Sequence, residues 1–254
     1  MSLPPRLTLE GVSQRFGALS VLEGLSLTLA PGECLALLGP SGCGKSTALA
    51  LAAGLRPPDA GRVLLDGQPL DAPGRVGLMP QRDLLLPWRR LMDNLLLGPQ
   101  LQGRPLDAAR QQAQALLSAF GLEGFEAAYP SQLSGGMRQR AALLRTVLAG
   151  HQTLLLDEPF GALDALTRLG LQAWLTGMRE RFGWTVLLVT HSPEEALFLA
   201  DRILLLSDRP ARVLAELRPE LPRARPPELR ASPAFAAELG RLLALILGPT
   251  EGFG

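Results

Sequence analysis

Cys34-Leu35-Ala36-Leu37-Leu38-Gly39-Pro40-Ser41-Gly42-Cys43-Gly44-Lys45-Ser46-Thr47 joins five consecutive apolar residues to a glycine-rich loop. An unbroken apolar run of this length before such a loop is the pattern of a strand buried on both faces. No breaker follows until Gly54, so a helix is predicted over residues 45–53. Gly39 through Ser46 fits G-x-x-x-x-G-K-[ST], with the preceding strand and following helix that the motif needs. Glycines let backbone N–H groups turn inward, and a helix N-terminus adds partial positive charge, so the loop is suited to cradling phosphate. Lys45 is expected to reach the outer phosphates as a compact point charge, open to solvent when no ligand is bound. Ser46 is the candidate Mg²⁺ ligand of this loop.

Working outward, composition sharpens that reading. Of 25 basic residues Lys45 is the only lysine and the rest are arginine. A chain this biased towards Arg keeps a lysine where a guanidinium would not serve. The net charge of +1 gives no basic footprint for nucleic acid. Apolar runs such as Cys34–Leu38 and residues 154–156 and 242–247 fall far short of the ~20 residues that span a bilayer. The N-terminus has no signal-like apolar stretch. The two cysteines, Cys34 and Cys43, make neither a disulfide framework nor a metal site, which suits a reducing, cytoplasmic address.

Residues 7–12 and 25–29 alternate like strands, with Leu7, Leu9 and Gly11 on one face of the first. Residues 62–65, the Asp66-Gly67 turn and a short run read as a hairpin. Strand character recurs at 76–79, 153–156, 185–190, 202–206 and 212–217. Helices are predicted at 91–97, at 107–120 and from Ser134 to Gly150; Ala113, Leu116, Leu117 and Phe120 share one helical face. The expected organisation is α/β: a first core segment at 1–81, a helical insertion at 82–150, a second core segment at 151–217, and a tail at 218–254. That tail holds a Pro- and Arg-rich linker and a short helix over 233–247.

Thr153-Leu154-Leu155-Leu156-Asp157-Glu158 is a buried strand ending in two carboxylates. In that position an Asp holds Mg²⁺ and the next Glu polarises attacking water. Together with the loop this defines a nucleoside triphosphatase. Guanine specificity is disfavoured, because an Asn-Lys-x-Asp motif cannot exist where Lys45 is the sole lysine. His191 precedes Ser192-Pro193-Glu194-Glu195, a capping box with Pro at the first helical position, at the end of a strand. His151 has no motif around it and is assigned to the surface; Arg138, Arg140 and Arg145 read as a solvated helix face.

Leu133-Ser134-Gly135-Gly136-Met137-Arg138-Gln139-Arg140 matches the signature of ABC ATPases, and from there the chain resembles that family over roughly residues 5–217. The resemblance implies a P-loop core of ABC type, with an N-terminal antiparallel β subdomain and an inserted helical subdomain. It identifies Gln81 with the Q-loop glutamine, a third Mg²⁺ ligand beside Ser46 and Asp157, and Asp164 of Ala162-Leu163-Asp164 with the D-loop. His191 becomes the switch histidine, and Phe16 the aromatic that stacks on adenine, unless it is simply core. Ser134, Gly135 and Gly136 would face the ATP of a second copy in a head-to-tail dimer.

Gln81-Arg82-Asp83-Leu84-Leu85-Leu86-Pro87-Trp88, Asp93-Asn94 and residues 160–168 resemble importers for nitrate, sulfonate, taurine and related solutes; thiamine-precursor importers have similar motifs. The resemblance implies a peripheral subunit on the cytoplasmic side of the cell membrane. A separate permease would dock on Leu84-Leu85-Leu86-Pro87-Trp88, with an extracytoplasmic binding protein acting indirectly. Two alternatives stay open: Trp88 and Leu86 as core of the insertion, and an ATP-sensing module without transport.

Overall fold

The computed structural model describes residues 6–247. In chain order it holds β1 (Leu7–Phe16), β2 (Leu19–Leu29), β3 (Cys34–Leu38), α1 (Lys45–Ala52), β4 (Ala60–Leu65), β5 (Gln68–Pro69) and β6 (Gly77–Met79). Helices α2 (Leu91–Leu95), α3 (Leu97–Leu101), α4 (Leu106–Leu117) and α5 (Gly135–Leu148) follow. Then come β7 (Thr153–Asp157), α6 (Ala165–Phe182), β8 (Thr185–Thr190), α7 (Pro193–Leu199), β9 (Arg202–Leu206), β10 (Val213–Leu217) and α8 (Pro233–Leu247).

Two sheets organise these elements. One is antiparallel, in the order β2-β1-β4-β5. The other runs β10-β9-β3-β8-β7-β6 and is parallel from β9 to β6, with β10 pairing antiparallel at one edge. Because side chains alternate along a strand, each parallel strand feeds two cores. Ala36, Leu38, Leu154, Leu156, Val186 and Leu188 pack with the helices α2, α4, α5 and α7. Leu35, Leu37, Leu155, Leu187 and Val189 pack instead with α1 and the antiparallel sheet. The helical insertion therefore shares a core with one face of the parallel sheet: Leu91, Leu95, Ala113, Leu117 and Phe120 all lie in it.

The structure departs from simple periodicity in three places. Alternation in β1 slips at Gly11: Leu7 and Leu9 are buried, Gly11 is exposed, and Val12 returns to the core. A bulge in the pairing with β2, with Gly11 at φ 57°, inserts the extra residue. The helix predicted over 91–97 is two short helices meeting at Leu96, the second of which extends to Leu101 and contains Pro99. The helix α6, 18 residues long, had no counterpart in the sequence reading. Both cysteines are buried and free, and burial pushes the Cys34 thiol up to about 12.

Candidate functional site

Every sequence-predicted catalytic group except Asp164 follows the C-terminal end of a parallel strand. The Gly39–Ser46 loop follows β3, Gln81 follows β6, Asp157 and Glu158 end β7, and His191 follows β8. Ligands of open α/β sheets gather at this edge, because parallel strands bring their loops to one side.

The loop closes tightly on β2. Gly44 sits at φ 127°, and a Cβ there would stand 2.9 Å from Val21 Cγ1, so no side chain fits. Lys45 corrects one expectation. It is only 5% exposed, and its Nζ already donates to the carbonyl oxygens of Gly39 at 2.8 Å and Pro40 at 2.7 Å. The ammonium is enclosed by its own loop and not open to solvent. Cys43 is buried, so the loop offers a ligand its backbone and not its thiol there.

Glu158 is held in the left-handed region at φ 48°, which costs a non-glycine residue energy and marks a position fixed by its surroundings. Its N–H donates to the Val189 carbonyl at 2.9 Å and its own carbonyl accepts from Gln139 Nε2 at 3.2 Å. Its two carboxylate oxygens take different partners: Gln81 Nε2 donates to Oε2 at 3.2 Å, and His191 Nδ1 lies 3.2 Å from Oε1. Asp157, one residue earlier, is buried. Desolvation raises its carboxyl above the ordinary carboxylate value, a bond from the Ser46 hydroxyl opposes that, the Glu158 charge adds to it, and Lys45 pulls it back.

A cavity of about 370 Å³ is lined by Val21, Ser41, Gly42, Gly44, Lys45, Ser46, Thr47, Gln81, Glu158 and Arg209. Gly39, Pro40 and His191 line an adjoining cavity of about 400 Å³. The remaining predicted residues stand apart from both. Phe16 is 45% exposed, so it is not core, and Arg56 covers its ring at 4.5 Å. Asp164 caps α6 by accepting from Thr167 N at 3.0 Å, and that bond leads in lowering its carboxyl below the ordinary value. Ser134 caps α5 by accepting from Met137 N at 3.2 Å, while Ser134 and Gly135 stay exposed. Among the described residues no group of three or more His, Cys, Asp or Glu side chains is placed to hold a metal.

Two expectations about basic residues fail. Arg138, Arg140 and Arg145 are half-buried, not solvated. Arg138 Nε donates to Asp83 at 3.1 Å, and Arg145 donates to the backbone carbonyls of Asp83 at 2.7 Å and Leu84 at 2.8 Å. They tie α5 to the segment that follows Gln81. His151 is half-buried beside Gln102, and burial followed by the Arg104 charge lowers its pKa. Arg209 in the cleft wall escaped the sequence reading altogether.

A phosphate-cradling loop on a parallel sheet, with a carboxylate pair at its mouth, defines a P-loop nucleoside triphosphatase. The ABC transporter family profile matches residues 22–161, and the chain belongs to that family: it is an ATP-binding cassette and an ATPase. The taurine import ATP-binding protein TauB of Burkholderia pseudomallei is 46% identical over 204 residues, covering 80% of this chain and 78% of that one. The formylaminopyrimidine import ATP-binding protein ThiZ of Halalkalibacterium halodurans is 43% identical over 225 residues, covering 88% and 86%. Among solved structures, the dimeric bacterial ABC transporter cassette MJ0796 superposes with TM-score 0.78 at 29% identity, over 84% of this chain and 98% of that one.

Proposed function

We propose that the chain is the ATP-hydrolysing subunit of an importer that moves a small solute of the nitrate, sulfonate and taurine class through a separate permease. The observation that carries hydrolysis, as against ATP sensing, is Glu158 fixed at φ 48° with one carboxylate oxygen on Gln81 and the other near His191. A general base must be aimed, and here each oxygen has its own constraint. When ATP enters, Glu158 polarises the attacking water, Gln81 and His191 hold the water and γ-phosphate in line, and Lys45 turns from its loop carbonyls to the phosphates.

Ser46 opens α1 beside Lys45 and Asp157 ends β7, two hard oxygen donors at the sheet edge that carries the loop. With phosphate oxygens and water they suit Mg²⁺, Gln81 supplying a further amide oxygen, and the ion would neutralise charge on the phosphates. The N-terminus of the 14-residue α5, with Ser134 and Gly135 exposed and outside the cavity of their own chain, is the part a second copy would use. Free N–H groups and the helix dipole there favour an anion. The reading is therefore a head-to-tail dimer with two shared ATP sites, to which Asp164 and Phe16 contribute at the rim.

For the permease contact, Leu84 is 55% and Trp88 72% exposed, against Leu85 at 7%. Exposed apolar side chains beside the Gln81 segment favour docking over a core role for Trp88. No described helix is long and apolar enough to cross a membrane, so the reading is a peripheral subunit on the cytoplasmic face. A binding protein outside the membrane would deliver the solute. The names of the TauB and ThiZ relatives support import, with a pyrimidine thiamine precursor as the second reading of the substrate. Proteoliposomes holding the chain, its neighbouring-gene permease and binding protein test it: ATP-dependent uptake of labelled taurine is expected. ATP-dependent uptake of a pyrimidine alone would shift the substrate, and absence of any phosphate release would sink the transport reading.

A further inference from the structure

Arg209 lies in the turn between β9 and β10 and lines the same cavity as Lys45, Ser46, Gln81 and Glu158. The turn is held firmly against the wall of that cavity. Ala211 N donates to the Val21 carbonyl at 2.9 Å, Glu23 N donates back to the Ala211 carbonyl at 3.3 Å, and Arg212 N donates to Ser207 Oγ at 3.0 Å. Val21 is itself part of the cavity lining, so the backbone carrying Arg209 is registered to the phosphate loop through β2.

The guanidinium reaches over the loop. Its Nη2 stands 3.7 Å from where a Cβ on Gly42 would lie. Gly42 has φ 76°, a backbone conformation that turns N–H groups into a concave anion nest. Among the described residues the Arg209 side chain forms no hydrogen bond or ion pair, whereas Arg212 three residues on is paired with Glu23 at 2.8 Å. The nearby carboxylates are otherwise engaged or turned elsewhere. Glu158 is shared between Gln81 and His191, Asp157 is buried and does not line this cavity, and Asp208 borders the adjoining cavity beside Ser41.

A guanidinium presents five donors in a plane that matches phosphate oxygens two at a time. One that is fixed at the rim of a phosphate cradle and has no acceptor of its own is arranged for an anion that arrives later. Lys45, buried and bonded to the Gly39 and Pro40 carbonyls, lies in the loop itself, whereas Arg209 reaches the loop from the β9–β10 turn. We propose that Arg209 is a further nucleotide-binding residue, closing over the phosphates of ATP or ADP held by the Gly42–Lys45 backbone of its own chain. The proposal rests on reading that loop as the nucleotide site.

Calorimetric titration of ADP and of a non-hydrolysable ATP analogue into wild type, Arg209→Ala, Arg209→Lys and Lys45→Ala tests it. Loss of one charge-assisted contact in a half-open cleft should weaken both nucleotides about five- to fifty-fold in Arg209→Ala. Arg209→Lys should recover part of that affinity, and the salt dependence of binding should be shallower in Arg209→Ala than in wild type. Thermal unfolding without nucleotide should not move, since the side chain has no partner to lose. The proposal is overturned if Arg209→Ala binds both nucleotides within two-fold of wild type while Lys45→Ala does not, which leaves the loop reading intact. If Lys45→Ala also binds normally, the nucleotide-site reading falls and this inference falls with it.

Discussion

At the scale of single residues, charge and its solvation decide what the site can do. Lys45 Nζ is held by two loop carbonyls, which the proposed function has it exchange for phosphate oxygens. Lys45→Arg should bind ATP about ten- to hundred-fold more weakly in the same titrations, because a planar fork cannot fill a cradle built around a point charge. Affinity near wild type would remove Lys45 from the phosphate contact. Glu195 offers a pH-dependent check away from the cleft. It is buried in α7, where desolvation raises its carboxyl above the ordinary value against weaker opposition from charges and bonds including Arg168, His191 and Gln172. A raised carboxyl pKa favours the folded state below the unfolded pKa, and that advantage is lost as pH rises through the folded value. Glu195→Gln should therefore stabilise the fold at pH 8 more than at pH 5, read from thermal melts at the two pH values. An equal shift at both would show that the charge is not penalised. The placement of Lys45, Gln81, Glu158 and His191 at strand ends was legible because motif spacing ties them there. Arg138, Arg145 and Arg209 were not, because in a chain where arginine supplies nearly every positive charge no single arginine stands out.

Elements were legible where one physical pattern dominated, and α6 shows what happens otherwise. Its buried residues are Leu171, Gln172, Leu175, Thr176 and Arg179, so three of five inward positions are polar. Its outer face carries Leu166, 82% exposed, so hydrophobic periodicity cancels. What satisfies the polar face is tertiary: Gln172 bonds Glu195, and Arg179 bonds Asp201 and the Leu199 carbonyl. The final helix, read over 233–247, was found at Pro233–Leu247, because Ser, Pro and an apolar repeat mark it locally. The linker before it has a role that composition did not suggest. Arg225 Nη1 donates to the carbonyls of Leu197 and Ala200, closing the end of α7, which begins next to His191. Arg225→Ala leaves those buried acceptors unpaired and should lower unfolding stability by about 1–3 kcal/mol, measured by urea titration. No change would mean water replaces the guanidinium at no cost. In the segment that leads into α2, Trp88→Ala removes a ring that is 72% exposed. Soluble stability and ATP binding should persist while co-purification with the permease falls; unchanged co-purification would exclude Trp88 from the contact.

At the scale of the whole molecule, one parallel sheet between two cores fixes four loops at a single edge. The antiparallel sheet and α1 fill one side, and the helices carrying the signature segment fill the other. That arrangement explains why the loop, Gln81 and Glu158 line one cavity, with His191 beside Glu158, while Ser134 and Gly135 lie outside it. Sequence motifs could name both segments; the fold adds that Ser134 and Gly135 lie outside the cavity lined by Lys45, Gln81 and Glu158, as the proposed shared sites require. The Glu158→Gln variant tests whether two copies share the sites. Removing the base charge should slow turnover by at least ~10²-fold and trap the ATP-bound state. Light scattering at saturating Mg-ATP should then give a molar mass twice that of one chain, returning to one chain with ADP. A Glu158→Gln protein that binds Mg-ATP but stays a single chain, or that still hydrolyses ATP near the wild-type rate, would contradict it.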